Sequence, residues 1–186
     1  MSRFNFHQTP LTGLYLIESK PMIDERGYFE RLFCDEEFKE IGLNKKVVNV
    51  NHSFTKGTGT VRGMHFQYPP FDEAKIVVCL KGSVWDVAVD IRSGSPTFLK
   101  WHGQPLCGAK RELLYVPEGF AHGFQTLEDD CELMYFTTQH YTREHEGALR
   151  YNDPALAISW KLPVRHISER DATTPFLDAE FKGILL

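Results

Sequence analysis

The chain has 186 residues, of which 42% are hydrophobic, 13% aromatic and 25% charged, a composition that argues against disorder and is expected to fold as a single domain over residues 1–186. With 21 basic against 25 acidic residues there is no broad electropositive face, so nucleic acid is not an expected partner and any anionic ligand must be met by local cations. Cys34, Cys79, Cys107 and Cys131 form no C-x-x-C pair, the N-terminus lacks an apolar signal core, and no run approaches the ~18 apolar residues of a membrane span. Reduced thiols, no membrane partner and a cytoplasmic protein are therefore expected.

In chain order, Gly13 to Lys20 alternates as a strand, and the following segment turns at Asp24 to Gly27 into a second, which predicts a hairpin. Asp35 to Leu43 has its acids first, Phe38 and Ile41 three apart and Gly42 as a stop, the pattern of one short helix capped near Asp35 and expected to be the longest of the chain. Val47 to Phe54 and Val61 to Gln67 read as strands, the second broken by Gly63, before Pro69 and Pro70 force a loop. Ala74 to Gly82 predicts a buried strand. In Ser83 to Arg92, Trp85, Val87, Val89 and Ile91 share one face against Asp86, Ala88, Asp90 and Arg92, so the second face is either a polar interior or exposed.

Further strands are predicted over Thr97 to His102, Glu112 to Val116, Phe120 to Leu127 and Cys131 to Thr138. Tyr141 to Arg150 allows a helical turn, Asn152 to Pro154 a turn, and Ala157 to Leu162 extended chain; Trp85, Trp101 and Trp160 read as core. Strands at roughly ten-residue spacing, divided by Gly and Pro turns, make the chain all-β, a sandwich or barrel.

Two segments carry single histidines among glycines and aromatics: V-R-G-M-H-F-Q with His65, and P-E-G-F-A-H-G-F with His122. Together they resemble the two half-motifs of a cupin, and a pocket between them would also receive Arg62 and Lys75. A metal-binding cupin would carry another histidine where Gly63 stands, which leaves His65, Glu73 and His122 as inward donors, too few for a tight transition-metal site. Asp171, in the polar segment S-E-R-D, could fix the tautomer of one imidazole and raise the basicity of its other nitrogen, as a general base requires.

The runs D-E-R-G-Y-F, V-R-G-M-H-F-Q, D-V-A-V-D-I-R-S-G-S-P-T-F, P-E-G-F-A-H-G-F, Y-F-T-T-Q-H-Y and Y-N-D-P-A-L-A-I-S-W, in this order, strongly resemble the dTDP-4-dehydrorhamnose 3,5-epimerase family. That resemblance implies a cupin-type double-stranded β-helix, or jelly roll, with a few short helices, no metal and no cofactor. It implies epimerisation at C3, C5 or both of a nucleotide-diphospho-4-keto-6-deoxy sugar, on a route to deoxysugars such as those of surface polysaccharide. His65 would remove a proton beside the C4 ketone with Asp171 as partner, Tyr135 would return one on the opposite face, and Lys75 would hold the enolate oxygen. Arg62 and His122 would bind diphosphate or sugar, with Arg26, Asn51, Tyr141 and Glu146 as further contacts and Asn49 standing where glutamine is usual. A homodimer is also implied, with the N-terminal hairpin adding strands to the partner. The alternatives are a 3,4-ketoisomerase of the same fold, a metal-dependent cupin enzyme and a non-catalytic sugar-binding module.

Overall fold

The computed structural model describes residues 2–186; Met1 of the N-terminal segment lies outside them. Strands β1 (Phe4–Gln8) and β2 (Tyr15–Ser19) precede a separate hairpin of β3 (Met22–Asp24) and β4 (Gly27–Phe29). Helix α1 (Asp35–Phe38) and a 3-10 turn (Lys39–Ile41) lead to β5 (Asn49–Thr55), β6 (Val61–Gln67), β7 (Lys75–Lys81) and β8 (Ser83–Asp90). The chain continues through β9 (Trp101–Cys107), β10 (Glu112–Val116), β11 (Phe120–Thr126), β12 (Cys131–Thr137), β13 (Glu146–Ala148) and α2 (Glu169–Thr173).

Two antiparallel sheets result, one in the order β1-β2-β10-β7-β12-β5 and the other β13-β6-β11-β8-β9. Leu14, Val77, Leu114 and Leu133 of the first pack against Val84, Ala88, Leu106, Phe120 and Phe124 of the second, so the core lies between facing sheets. The chain is a double-sheet jelly roll of the cupin type, as its strand spacing and motifs predict. Among the described residues no helix is long and apolar enough to cross a membrane.

Both outer faces are also covered. Phe38 and Ile41 pack with Phe4, Ile17, Ile76, Val78 and Leu113 on the six-stranded sheet. Burying one such side chain contributes about 1.5–3 kcal/mol, so tertiary packing sustains this short helical segment where propensity could not. Leu149, Leu156 and Ile184, with Trp160 and Phe181, pack on Met64, Phe66, Trp85, Val87 and Val89 of the five-stranded sheet.

The structure corrects several sequence expectations. The segment after Cys34 is a four-residue α-helix finished by a 3-10 turn, and α2, with five residues, is the longest α-helix among the described residues. Strand β9 starts at Trp101 rather than Thr97, because Asp90 accepts hydrogen bonds from Arg92, Ser95 and Thr97 and holds the intervening segment as a turn. Ala157 to Leu162 forms no strand. The polar face of β8 proves to be interior, with Asp86 and Asp90 both fully buried.

Where β6 crosses β11 the backbones come unusually close at Gly63 and Gly123. Gly63 has φ +132°, and a Cβ added there would stand 2.5 Å from the Gly123 Cα and 3.0 Å from the His122 carbonyl oxygen. Neither neighbour is a flexible side chain, so a histidine at this position is sterically impossible without moving a strand. Gly63→Ala should cost about 2–4 kcal/mol of stability in denaturant melts, combining left-handed strain with overpacking; a cost below about 0.5 kcal/mol would refute this reading of the crossing.

Candidate active site

A cleft of about 700 Å3 opens between the two sheets, within the size range of sites for small ligands. One wall comes from β6 and β11, which contribute Arg62, His65 and His122; the facing wall comes from β5, β7 and β12, which contribute Asn49, Asn51, Ser53, Lys75 and Tyr135. Alternation puts most of these polar side chains and the core leucines and valines on the same inward faces, at different depths along the strands, while Arg62 and His65, three apart on β6, both reach the cleft because the β6–β11 register shifts between them. The turn into α2 adds Ser168, Arg170 and Asp171.

His65 and His122 are directly paired in the β6–β11 register, and each has its own carboxylate. His65 Nε2 lies 2.8 Å from Asp171 Oδ1, and the other Asp171 oxygen accepts the Gly63 N–H at 3.3 Å. Burial by itself pushes the Asp171 carboxyl up, but the hydrogen bond and charge of His65 and the Gly63 amide outweigh it and bring the group down to about 2. Asp171 therefore stays ionised beside the imidazole. Its backbone N–H donates to Ser168 Oγ, which caps α2 in the S-x-x-D pattern and fixes the carboxylate against β6.

His122 Nε2 lies 2.8 Å from Asp86 Oδ1, and the pair is almost completely buried, at 5% and 0% side-chain exposure against 27% for His65. Asp86 Oδ2 has no hydrogen-bond partner among the described residues. The His122 ring meets that of Tyr135 edge-on, with centroids 6.5 Å apart, across the space between the walls.

Tyr135, on β12, is partly buried against the core between the sheets. Burial pushes its phenol well above the ordinary value, and the 3.2 Å hydrogen bond with Ser53 Oγ only partly offsets this, so the group is a proton donor at neutral pH. Lys75 pairs with Glu73 at 3.2 Å, with both side chains less than one-sixth exposed. Arg62 is steadied by donating from Nε to Thr55 Oγ1 at 2.9 Å, and Asn49 donates to Thr137 Oγ1 and the Gln139 carbonyl. Asn51 lines the same wall.

Two residues singled out in the sequence lie at the margin, and one lies away from the cleft. Tyr141 is exposed on the rim and donates to Glu146 Oε2 at 3.0 Å, while Glu146 stands behind the lining and receives two hydrogen bonds from Arg170 Nη1, at 2.9 and 3.0 Å. Arg26 sits exposed in the β3–β4 hairpin, bonded to Asp24 of the same turn, and the structure does not bring it to the cleft.

Sequence reasoning passed over Ser53, Asp86 as the partner of His122, and Arg170. Asp86 could be placed on the face opposite Trp85 but not matched to a histidine on another strand. Arg170 had a signal in its position beside Asp171. Among the described residues, no group of three or more His, Cys, Asp and Glu side chains converges as a metal ion would need.

Comparison with known proteins shows the family of this chain. A sequence model of the family described as dTDP-4-dehydrorhamnose 3,5-epimerase matches residues 8–179. The dTDP-4-dehydrorhamnose 3,5-epimerase of Sinorhizobium fredii is 40% identical over 173 residues, 92% of this chain and 89% of that protein. The crystal structure of the enzyme of that name from Elizabethkingia anophelis superposes with a TM-score of 0.92 at 39% identity, covering 97% of this chain and all of the other. The dTDP-6-deoxy-D-glucose-3,5-epimerase of Legionella pneumophila, solved in complex with dTDP-4-keto-L-rhamnose, gives a TM-score of 0.90 at 37% identity over 98% of this chain and 99% of that one. On both sequence and structure, this chain belongs to the dTDP-4-dehydrorhamnose 3,5-epimerase family.

Proposed function

We propose that this chain epimerises a dTDP-linked 4-keto-6-deoxyhexose at C3, C5 or both, by removing a proton beside the C4 ketone on one ring face and returning one on the other. The observation that carries the proposal is the placement of an imidazole on one sheet, backed by a carboxylate from α2, and a partly buried phenol on the facing sheet, with the cleft between them. Ionised Asp171 holds one nitrogen of His65 and leaves the other to act as base. The electron pair of the broken C–H bond moves into the ketone, and the Lys75 ammonium stabilises the enolate oxygen inside a poorly solvated site. Tyr135, a neutral phenol, then protonates the carbon from the opposite wall, and the phenolate is neutralised again from solvent through its Ser53 contact. Arg62 supplies a fork for the diphosphate, and His122 and Asn51 the sugar contacts.

The same reading includes a homodimer. On the β3–β4 hairpin Met22, Ile23, Tyr28 and Phe29 are 46–71% exposed, and the edge strand β5 shows Val50 and Phe54 to solvent. An apolar hairpin and an open edge are covered together when each subunit lays one on the other, which would also carry Arg26 toward a partner's cleft.

In deuterium oxide the protein should incorporate solvent deuterium at an inverted carbon of dTDP-4-keto-6-deoxyglucose, followed by NMR. His65→Ala should abolish incorporation, whereas Tyr135→Phe should retain exchange at the carbon facing His65 and lose inversion by about 10²–10⁴-fold. Carbonyl migration without inversion would instead establish a ketoisomerase.

Asp171 yields a second expectation, in stability. Its folded value of about 2 lies below the ordinary 3.8, so the stabilisation it gives is fully present above pH 3.8 and is lost as the pH falls through about 2. The shift corresponds to roughly 2 kcal/mol. In denaturant melts the difference between the wild type and Asp171→Asn should be constant above about pH 5 and shrink by about that amount toward pH 2; a difference that does not change with pH would mean the carboxylate is not held as described.

A further inference from the structure

Arg170 makes a contact that the proton-transfer scheme leaves unexplained. Its Nη2 lies 2.8 Å from His65 Nε2, the same nitrogen that Asp171 Oδ1 approaches at 2.8 Å. A guanidinium is always a donor and an ionised carboxylate always an acceptor, so one imidazole nitrogen cannot satisfy both. If Nε2 carries a proton for Asp171, it opposes an Arg170 N–H; if it offers a lone pair to Arg170, it opposes the Asp171 oxygen. The remaining bonds show which partner is free to leave. Asp171 is 4% exposed and fixed to Gly63 and Ser168, whereas the Arg170 side chain is 56% exposed, lines the cleft and is retained by Glu146. With Arg170 in place, Asp171 keeps other donors, the Gly63 N–H and Arg170 Nε at 3.3 Å.

Resting on the epimerase reading, we propose that Arg170, tethered by Glu146, is a positioning residue that caps His65 Nε2 in the free protein and releases it when the diphosphate of the substrate draws the guanidinium away. In the free protein Nε2 accepts from Arg170 and the ring proton resides on Nδ1. When phosphate oxygens take Arg170, Nε2 gains a proton from water, Nδ1 gives one up, and Nε2–H donates to Asp171. No net proton is consumed. Nδ1 then presents the lone pair that the base needs. Bidentate pairing with phosphate is better matched to a guanidinium than its single contact with the imidazole, so the exchange runs toward the anion. The consequence is a specificity device: binding energy from the part of the substrate remote from the reacting carbon is used to arm the base, so a sugar lacking the diphosphate loses turnover and not only affinity.

The test follows the His65 ring nitrogens by NMR in the 15N-labelled full chain near pH 7, with and without saturating dTDP. In the wild type Nε2 should be unprotonated in the free protein and protonated with dTDP; in Arg170→Gln it should be protonated in both. A protonated Nε2 in the free wild type, or identical spectra for the two proteins, overturns the proposal. Deuterium exchange supplies a second readout. At saturation the dTDP-linked sugar should exceed its 1-phosphate analogue in kcat by about tenfold or more in the wild type and by no more than about twofold in Arg170→Gln. Arg170→Lys should recover part of that preference, and Glu146→Gln should raise turnover of the 1-phosphate. An undiminished preference in Arg170→Gln also overturns the proposal. If the wild type exchanges neither sugar, the epimerase reading has failed, while the nitrogen spectra still decide whether Arg170 caps His65.

Discussion

The site depends on keeping one buried carboxylate charged. An ionised group withdrawn from water costs several kcal/mol unless donors replace its hydration, and Asp171, at 4% exposure, has them in the Gly63 amide, Arg170 and, whenever its Nε2 carries a proton, His65. Two of these belong to β6 and one to α2, so satisfying the charge also pins the end of the chain against the strand that carries His65. The route to that position is built by packing and by a second buried acid. Asp153 accepts the N–H groups of Ala155 and Leu177, which joins two stretches of the C-terminal segment, while Leu149, Leu156 and Trp160 lie on the outer face of the five-stranded sheet. An extended tail that pairs with the sheets through β13 and through single bridges at His166 with Thr60 and Ile184 with Arg92 thus becomes the arm that brings Asp171 to His65.

Two histidines, each with a carboxylate at 2.8 Å, face each other in one register, yet their surroundings separate what they can do. His65 is partly open to the cleft and its carboxylate has other donors; it can exchange protons with a ligand and with water. His122 is almost sealed, and one oxygen of its partner Asp86 has no hydrogen-bond partner among the described residues. Such a pair is better suited to holding a fixed hydrogen bond toward the sugar than to cycling. Under the proposed mechanism the same residue types serve as a base at one position and a binding contact at the other, and the difference lies in solvent access and not in the dyad itself.

Much of this was legible in the sequence, and the exceptions share physical causes. The alternation of β8 placed Trp85, Val87 and Val89 together because pleating imposes a period of two wherever a strand runs. It could not tell whether the face of Asp86 met water, since that depends on the opposing sheet. Strand β9 was predicted four residues early because Thr97 to Lys100 has strand-like composition, whereas hydrogen bonds to Asp90 and local backbone bonds hold it as a turn. Helix α2 escaped notice because five residues are too few to show helical periodicity, although its S-x-x-D cap was in plain view. The motif histidines, Lys75 and Tyr135 were readable because a resemblance carries spatial convergence that spacing alone cannot. Arg26 marks the limit of that transfer: a single chain gives no sign of where an exposed hairpin side chain is used.

Inversion is a demand on geometry before it is one on acidity. A base and an acid on a single strand face would return the proton to the side it came from, giving exchange with retention; opposed donors require two independent walls with a ring-sized space between. Facing sheets about 10 Å apart meet that demand once the side chains between them are replaced by cavity, and here the leucines and valines that fill the sandwich elsewhere give way to His65, His122 and Arg62 against Tyr135, Lys75 and Asn51. Burial then assigns the roles. On one wall an ionised, well-bonded carboxylate lies against the imidazole, and on the other, withdrawal of the phenol from water favours the protonated form. Under the proposed mechanism the fold thus sets both the direction of proton flow and the face to which it returns, without asking either residue to be intrinsically unusual.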